Sequence, residues 1–293
     1  MVNMMWKISR LIDMNEKVLN IIYEVFDSLE LNNFAVIGKP NDPMYEKPLI
    51  GVAAGNDSYY SFLKEHIGEF HWNPSEAFEI KYGEKVSEDK LNVISLVFPQ
   101  TAETYELQSK ERQFPCDNWI VSRGEWENMM EEFSGKLEKR LEEEGIRAAS
   151  IDLIEEFSRK DSKNLGIASN WSHRHTAFAA GMGTFGLSDG FISERGMAVR
   201  MTSVIVEADL EVTPRGDRGP YDWCLYYKSG ICGACIRRCP IRAISEQGHD
   251  KVACLDYEDV ACEKYWPEHI ERGDYIFGCG LCAVKVPCGN KRP

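Results

Sequence analysis

Apolar residues recur at helical spacing between Asn15 and Glu30, at Val18, Leu19, Ile22, Val25, Phe26 and Leu29, and predict an amphipathic helix. Phe34-Ala35-Val36-Ile37 predicts a short strand. Pro48–Ala54 predicts another, dense enough in apolar residues to be buried on both faces. Helical spacing returns over Tyr60–Ile67, and Leu91–Phe98 is the clearest strand pattern in the chain. Ser122-Arg123-Gly124-Glu125 has the form of a capping box. The helix expected behind it carries Trp126, Met130, Phe133, Leu137 and Leu141 on one stripe, with Lys and Glu opposite, and that stripe reads as core rather than as a cofactor surface. Glu142–Gly145 ends the helix, and strands follow near Arg147–Ile151 and Val199–Glu207. The alternation predicts an α/β or α+β class with a mixed sheet. No internal repeat or low-complexity tract interrupts it.

Composition divides this pattern in two. The chain has 293 residues, 43% of them apolar and 28% charged, enough for a full core and for two units. No apolar run reaches the roughly 18 residues of a membrane span. The N-terminus lacks the apolar stretch and small-residue cleavage site of an export signal, so no membrane association is expected. Acidic residues outnumber basic ones 47 to 34, a net charge of −13, which argues against a surface for bulk nucleic acid. Residues 216–293 hold 11 basic and 11 acidic residues, so the deficit lies wholly in residues 1–215. Cysteine is distributed the other way: nine of the ten fall between Cys224 and Cys288, and Cys116 stands alone. Two units are therefore expected, 1–215 and 216–293, with the boundary near Thr213–Gly216.

Three chemistries compete for the nine cysteines. Disulfides need an oxidising compartment, and an odd count does not suit them. Structural zinc would use C-x2-C pairs, of which there are two, Cys232/Cys235 and Cys279/Cys282. Iron–sulfur ligation has the more specific signal. Cys232-Gly-Ala-Cys235-Ile-Arg-Arg-Cys239-Pro240 is C-x2-C-x3-C-P, the tail of the bacterial ferredoxin run. The usual first ligand position is Ser229, so Cys224 is expected to serve, with the intervening residues looped out. In that run the cysteine before proline ligates the other cluster. Cross-ligation then assigns Cys224, Cys232, Cys235 and Cys288 to one [4Fe–4S] cluster and Cys239, Cys254, Cys279 and Cys282 to a second. Cys254 is preferred to Cys262 because it follows the Gly248-His249-Asp250 turn. Cys262 and Cys116 read as small buried hydrophobes. A segment this short needs metal ligation for much of its folding energy, and it reads as an electron relay.

Gly181-Met182-Gly183-Thr184-Phe185-Gly186 matches G-x-G-x-x-G, but a predicted helix precedes it and a turn follows it, so it fails as a dinucleotide fingerprint. A helix running into a glycine turn lets backbone approach a flat ligand or a neighbouring element closely. His173 and His175 sit at the start of that helix, two residues apart, a spacing that does not share a face and makes a joint metal site improbable.

The stretch from Thr176 to Pro214, then Cys232–Ser245, then Tyr275–Cys288 resembles the epoxyqueuosine reductase family and its relatives, the corrinoid reductive dehalogenases. The match covers about Trp171 to Cys288; the first 170 residues agree only in general layout. The resemblance implies a nitroreductase-like, cobalamin-binding α/β domain followed by a ferredoxin-like domain with two [4Fe–4S] clusters. It also implies that Ala180, Gly181, Met182, Gly183, Thr184 and Gly186 lie against the corrin. The implied reaction is reductive cleavage of a carbon–oxygen or carbon–halogen bond, with a proton donor opposite the cobalt and the hard chemistry carried by the cofactor.

Family members place an aspartate shortly before the glycine-turn helix as proton donor. Here Gly166–His175 has no carboxylate; Ser169, Asn170, Ser172 and His173 are its polar groups, and His173, Ser169 and Asn170 are the candidate catalytic residues, with a proton donated by the histidine foremost. Many members also carry a tRNA-binding helical-repeat domain after the clusters, whereas five residues follow Cys288 here, and the acidic first unit would repel tRNA. The expectation is a cytoplasmic oxidoreductase acting on a small molecule or modified nucleoside, fed by an external ferredoxin- or flavodoxin-type donor. The alternatives are an electron-transfer or activator protein serving a partner or a corrinoid bound elsewhere, and a flavin-dependent reductase.

Overall fold

The structure, a computed structural model, describes the backbone of residues 2–265 and 278–293 and the side chains of 14–260 and 278–293. In chain order the first elements are α1 (Val2–Asp27), β1 (Leu49–Ala54), α2 (Ser58–His66), α3 (Pro74–Tyr82), β2 (Asn92–Pro99), α4 (Ala102–Lys110), α5 (Asp117–Gly124) and α6 (Trp126–Glu143). There follow β3 (Ala148–Ser150), β4 (Arg159–Ser162), β5 (Gly166–Ser169), α7 (His173–Ala179), β6 (Gly183–Phe185), β7 (Phe191–Ser193) and β8 (Val199–Val206). The cysteine-rich segment adds α8 (Leu225–Ser229), α9 (Ala234–Arg238), the hairpin β9 (Ile244–Ser245) and β10 (Gly248–His249), and α10 (Lys251–Tyr265). Among the described residues no helix is long and apolar enough to cross a membrane.

The main sheet has the order β1-β2-β8-β3, and each neighbouring pair is antiparallel. The expected mixed sheet is thus an antiparallel one. A single crossover helix would bring the chain back parallel; here α2 and α3 both lie between β1 and β2, so β2 is entered from the opposite end. Strand β2 is buried at all eight positions, and its side chains alternate between two cores. Ile94, Leu96 and Phe98 meet Val25 of α1, Ile120 of α5 and Phe133 and Leu137 of α6. Val93 and Val97 meet Leu63 of α2, Phe78 of α3 and Ala177 and Phe178 of α7. The result is a sheet between two helical layers, and the stripe read on α6 is core along its length.

Two local expectations are corrected. Phe34–Ile37 is not a strand: Ala35–Ile37 form a 3-10 turn closed by Gly38 at φ +77°, and Phe34 bridges Lys39. Only Phe34 of that apolar run is buried, so no face is available for pairing. The capping box at Ser122 does not form. Ser122 lies inside α5, where its buried hydroxyl donates to Trp119 O at 3.0 Å and accepts from Gln100 Nε2 at 2.9 Å. Helix α6 starts from Glu125 without a side-chain cap.

Under the second core His71 is completely buried, its ring stacked on Trp171 at 6.0 Å between centroids. Burial drives its pKa down from 6.5 to about 4. The unfolded chain then binds a proton between those values and the native chain does not. Stability is full above pH 6.5 and falls as pH drops toward 4, by about 3 kcal/mol in total. Urea unfolding across this range is expected to show that loss in the wild type and a shallower one in His71→Phe. Parallel pH profiles for the two proteins contradict it.

Candidate functional site

The cysteines separate into two sets in space. Cys224, Cys232, Cys235 and Cys288 line one narrow cavity of about 20 Å³, closed by Leu187, Met197 and Val286. Cys239, Cys254, Cys279 and Cys282 form the other: burial first, and then the proximity of the other three, opposes ionisation of Cys282, and burial with Cys254 and Cys239 close by does so for Cys279. Cys235 also acts on Cys282, so the sets adjoin there. Burial pushes the thiols of Cys254, Cys279 and Cys288 up to about 12 and that of Cys235 to about 11. Free thiols of this kind hold their protons at neutral pH, and a metal has to displace them. Cys116 belongs to neither set. It precedes α5 and packs beside Trp119 and Ala283. The Cys262 side chain lies outside the described residues.

Residues far away in sequence hold the loop that carries Cys279 and Cys282. Gln108 Nε2 donates to Cys279 O at 2.7 Å, Arg238 Nε donates to Leu281 O at 3.1 Å, and Glu258 Oε1 accepts from Cys279 N at 3.3 Å. Gly280 sits at φ +58° with its backbone against Trp119, where a Cβ would come within 2.1 Å of the indole. Only glycine meets both demands. Among the described residues no group of three or more His, Cys, Asp or Glu is arranged to hold a single metal ion. Zinc would need its thiolates gathered within about 2.3 Å of one ion. A four-iron cluster takes one thiolate at each corner and so suits a wider set.

The glycine turn packs against protein. A Cβ on Gly183 would lie 2.1 Å from Ile192 O, and one on Gly181 would lie 2.7 Å from Pro214 O. Ala180, Met182 and Thr184 are buried. Gly186 lines the cavity of the first cysteine set. The tight turn therefore brings β6 onto β7, and the side chains flanking it, Phe178 and Phe185, meet open space.

Three neighbouring cavities lie on this side of the molecule. One of about 440 Å³ has aromatic walls, Tyr59, Phe62, Phe178, Phe185 and Tyr221, with His66, His175, Asp189 and Lys251 among its polar groups. It shares Pro220 and Tyr221 with a cavity of about 750 Å³ beside Arg215, Arg218, Trp223 and Arg292. It shares Arg174 with a third, of about 510 Å³, lined by Ser169, Ser172 and His173. This third cavity touches both cysteine sets: Met197 is common to it and the first set's cavity, and its Glu258 holds the Cys279 amide.

The predicted donors divide here. Asn170 spends both ends of its amide on backbone, donating to Glu156 O at 2.7 Å and accepting from Ser158 N at 2.9 Å. Ser169 donates its hydroxyl to Trp171 O. His173 lines the cavity, but Nδ1 pairs with Ser203 Oγ at 2.9 Å and Nε2 faces Asp152 Oδ1 at 3.6 Å. Asp152 supplies the carboxylate absent from the local sequence. It lies 21 residues before His173, and only the fold brings the two together. Ser172, one of the polar groups of that segment but not a predicted donor, is the one whose hydroxyl stands at the cavity wall. Its hydroxyl pairs with His175 Nδ1 at 2.7 Å, joining the wall of the third cavity to that of the aromatic one. Burial, then the Arg174 charge, hold the pKa of His175 well below the ordinary imidazole value.

No family model and no curated protein matches the chain. Among solved structures it is similar to epoxyqueuosine reductase from Bacillus subtilis, with a TM-score of 0.47 and 16% identity over 94% of this chain and 67% of that one. It is similar to epoxyqueuosine reductase with a modified tRNA-Tyr stem loop, at 0.48 and 14%, over 95% and 66%. It is also similar to the catabolic reductive dehalogenase NpRdhA in complex with 3-bromo-4-hydroxybenzoic acid, at 0.40 and 18%, over 67% and 23%. The chain thus spans less than a quarter of the dehalogenase and about two thirds of the epoxyqueuosine reductases. At this distance the likeness does not identify the reaction, which has to be read from the site.

Burial first, and the neighbouring Arg200 charge, lower the pKa of His173, while Asp152 raises it. Nitrogen-15 NMR of labelled histidine is expected to find His173 titrating below the ordinary value of 6.5. Asp152→Asn should move it lower still. An unchanged or raised titration in that variant would show that the pair is not electrostatically coupled.

Proposed function

We propose that the chain is an iron–sulfur oxidoreductase that passes electrons through two [4Fe–4S] clusters to a cobalamin for reductive cleavage of a carbon–oxygen or carbon–halogen bond. The reading takes residues 1–215 as a nitroreductase-like domain and 216–293 as a ferredoxin-like one. Its main support is the grouping of eight cysteines into two adjoining sets of four, the second lying between Cys235 and Cys288 of the first along the chain. Ferredoxin-type cross-ligation calls for that order, with the cysteine before proline passing to the second set and the last cysteine returning to the first. The first cluster falls to Cys224, Cys232, Cys235 and Cys288, the second to Cys239, Cys254, Cys279 and Cys282. Burial raises the thiols of Cys235, Cys254, Cys279 and Cys288, so the cluster has to bring its own iron to displace their protons.

The aromatic faces of the middle cavity suit a large flat ligand, and the inner cavity reaches the cysteine sets through Met197 and Glu258. Cobalamin, when bound, supplies a low-potential nucleophilic metal centre. The protein's part is position, dryness and a proton. Phe178 and Phe185 present apolar faces to the middle cavity, and Trp171 and Phe191 are among the apolar walls of the inner one. Ser172 Oγ holds the proton at that cavity, and His175 Nδ1 behind it returns one from the aromatic cavity. His173, held by Ser203 and Asp152, orients this wall. The substrate is a small molecule or modified nucleoside, and electrons come from a ferredoxin- or flavodoxin-type donor in a reducing cytoplasm. A flavin on the same aromatic walls is the alternative cofactor.

A second reading, an electron-transfer or activator protein, draws on one observation. The three predicted donors are held by protein, Asn170 and Ser169 by backbone and His173 by Ser203, with His173 Nε2 left without a hydrogen bond 3.6 Å from Asp152.

Anaerobically purified protein is expected to hold about eight iron atoms per chain. After incubation with hydroxocobalamin and gel filtration it should retain about one corrinoid per chain. Gly280→Ala keeps every thiol but displaces the second set's loop, and about half the iron should be lost with it. Full iron without corrinoid would select the electron-transfer reading. Zinc in place of iron would overturn both.

A further inference from the structure

One part of this acidic chain is free of carboxylates. Residues 223–245 and 278–293, which hold seven of the eight cysteines assigned above to clusters, contain seven basic residues and no acidic one, in a protein of net charge −13. Arg238 is buried and donates to Leu281 O and Glu111 O, and Arg292 pairs with Glu194. The other five, Lys228, Arg237, Arg242, Lys285 and Lys291, are exposed, and among the described residues none of them has a carboxylate partner.

The same segment holds a feature that cluster ligation leaves unexplained. Cys224 and Cys232 are separated by five residues more than the ferredoxin run needs. Leu225–Ser229 form α8 directly after Cys224, and Gly230 at φ +70° turns the chain so that Ile231 leads into Cys232. Ile231 is 83% exposed and Tyr227 49% exposed. The Lys228 amide donates to Cys224 O at 2.9 Å, and Arg237 Nη1 donates to Cys232 O at 3.3 Å. Both cations therefore belong to the loop that carries the two apolar side chains. An isoleucine this exposed gains free energy when another surface covers it, and cations beside it select an acidic surface.

We propose that the loop Leu225–Cys232 is where the electron donor docks, and that the donor is a small acidic redox protein, with Tyr227 and Ile231 as the apolar contact, Lys228 and Arg237 as the charged one, and the first cysteine set as the point of entry. Cys232 is only partly buried and follows Ile231 directly, so a cluster on this set lies just under the loop. One electron leaves the donor's reduced centre and enters that cluster, and no bond forms or breaks. Redox encounters of this kind bury little area, below about 1,200 Å² in all, and draw their rate from charge. Two apolar side chains with cations beside them suit an encounter of that size. The rest of the chain is acidic and repels an acidic partner, so the patch also sets orientation. RNA is the less suitable partner, because a phosphate backbone calls for a row of cations rather than an apolar centre. The proposal rests on the clusters proposed above and is independent of cobalamin.

The test is anaerobic stopped-flow reduction of the iron-loaded protein by reduced flavodoxin, followed by bleaching of the cluster absorbance. The second-order rate constant is expected to fall at least about 10-fold as salt rises from about 50 to about 500 mM. At low salt Lys228→Glu should lower it about 10-fold and Ile231→Ser should lower it several-fold, with iron content and full reduction by dithionite unchanged. Lys85→Glu makes the same charge change on an exposed residue between α3 and β2 and should leave the rate nearly as it was. A rate indifferent to salt and to both loop substitutions overturns the proposal. So does an equal loss from Lys85→Glu, or no reduction by flavodoxin where dithionite reduces fully. An RNA stem loop is titrated in parallel: RNA binding that Lys228→Glu abolishes, with the flavodoxin rate unmoved, assigns the face to nucleic acid and overturns the proposal as well. Full iron with any of these failures removes the docking face and leaves the clusters standing; a protein without iron removes both.

Discussion

The return of the last segment onto the sheet is the constraint from which the site follows. Met197 N donates to Cys288 O at 2.8 Å and Ala198 N donates to Gly289 O at 3.0 Å, just where the chain enters β8. Strand β8 is the central partner of both β2 and β3. A rigid sheet therefore fixes Cys288, and through it the cavity in which Cys224, Cys232 and Cys235 face it. Cys288 is more than 50 residues from the nearest other member of its set, and no local propensity could bring it there.

The same dependence runs through the other cysteine set. Trp119, Gln108 and Glu258 position the Cys279–Cys282 loop, and the first two belong to the helical layer over the main sheet. The cysteine segment is short and has few apolar residues of its own, so it borrows walls from the sheet's loops. Leu187, Met197, Trp223 and Ile244 form one cluster across that contact. Borrowed walls also bring the thiols beside the inner cavity, because Met197 faces both.

Charge shows how far a whole-chain average is from a local field. The chain as a whole is strongly acidic, while arginines from α5, β4, α7 and β8 line one cavity. Net charge governs long-range steering, but recognition is decided within a Debye length of about 10 Å. The donor question has the same form. Gly166–His175 has no carboxylate, yet Asp152 lies against His173 because the β3 exit packs beside the start of α7.

By itself the sequence determined what is periodic or covalently close. The strand β2, the buried stripe of α6, the helix running into the glycine turn and the C-x2-C loops are all legible because their spacing reflects local backbone geometry. It misjudged Phe34–Ile37, where a tight turn overrides β propensity, and Ser122, whose hydroxyl was already engaged inside α5. It expected a mixed sheet because strand direction depends on how many helices the chain traverses between strands. Only the tertiary structure decided which cysteines stand together, that the glycine turn closes onto β7, that Asp152 meets His173 and Ser172 meets His175, and that four arginines share a cavity. Each of these depends on side chains from separate elements meeting across the fold, and pairings over such distances leave no period in the chain.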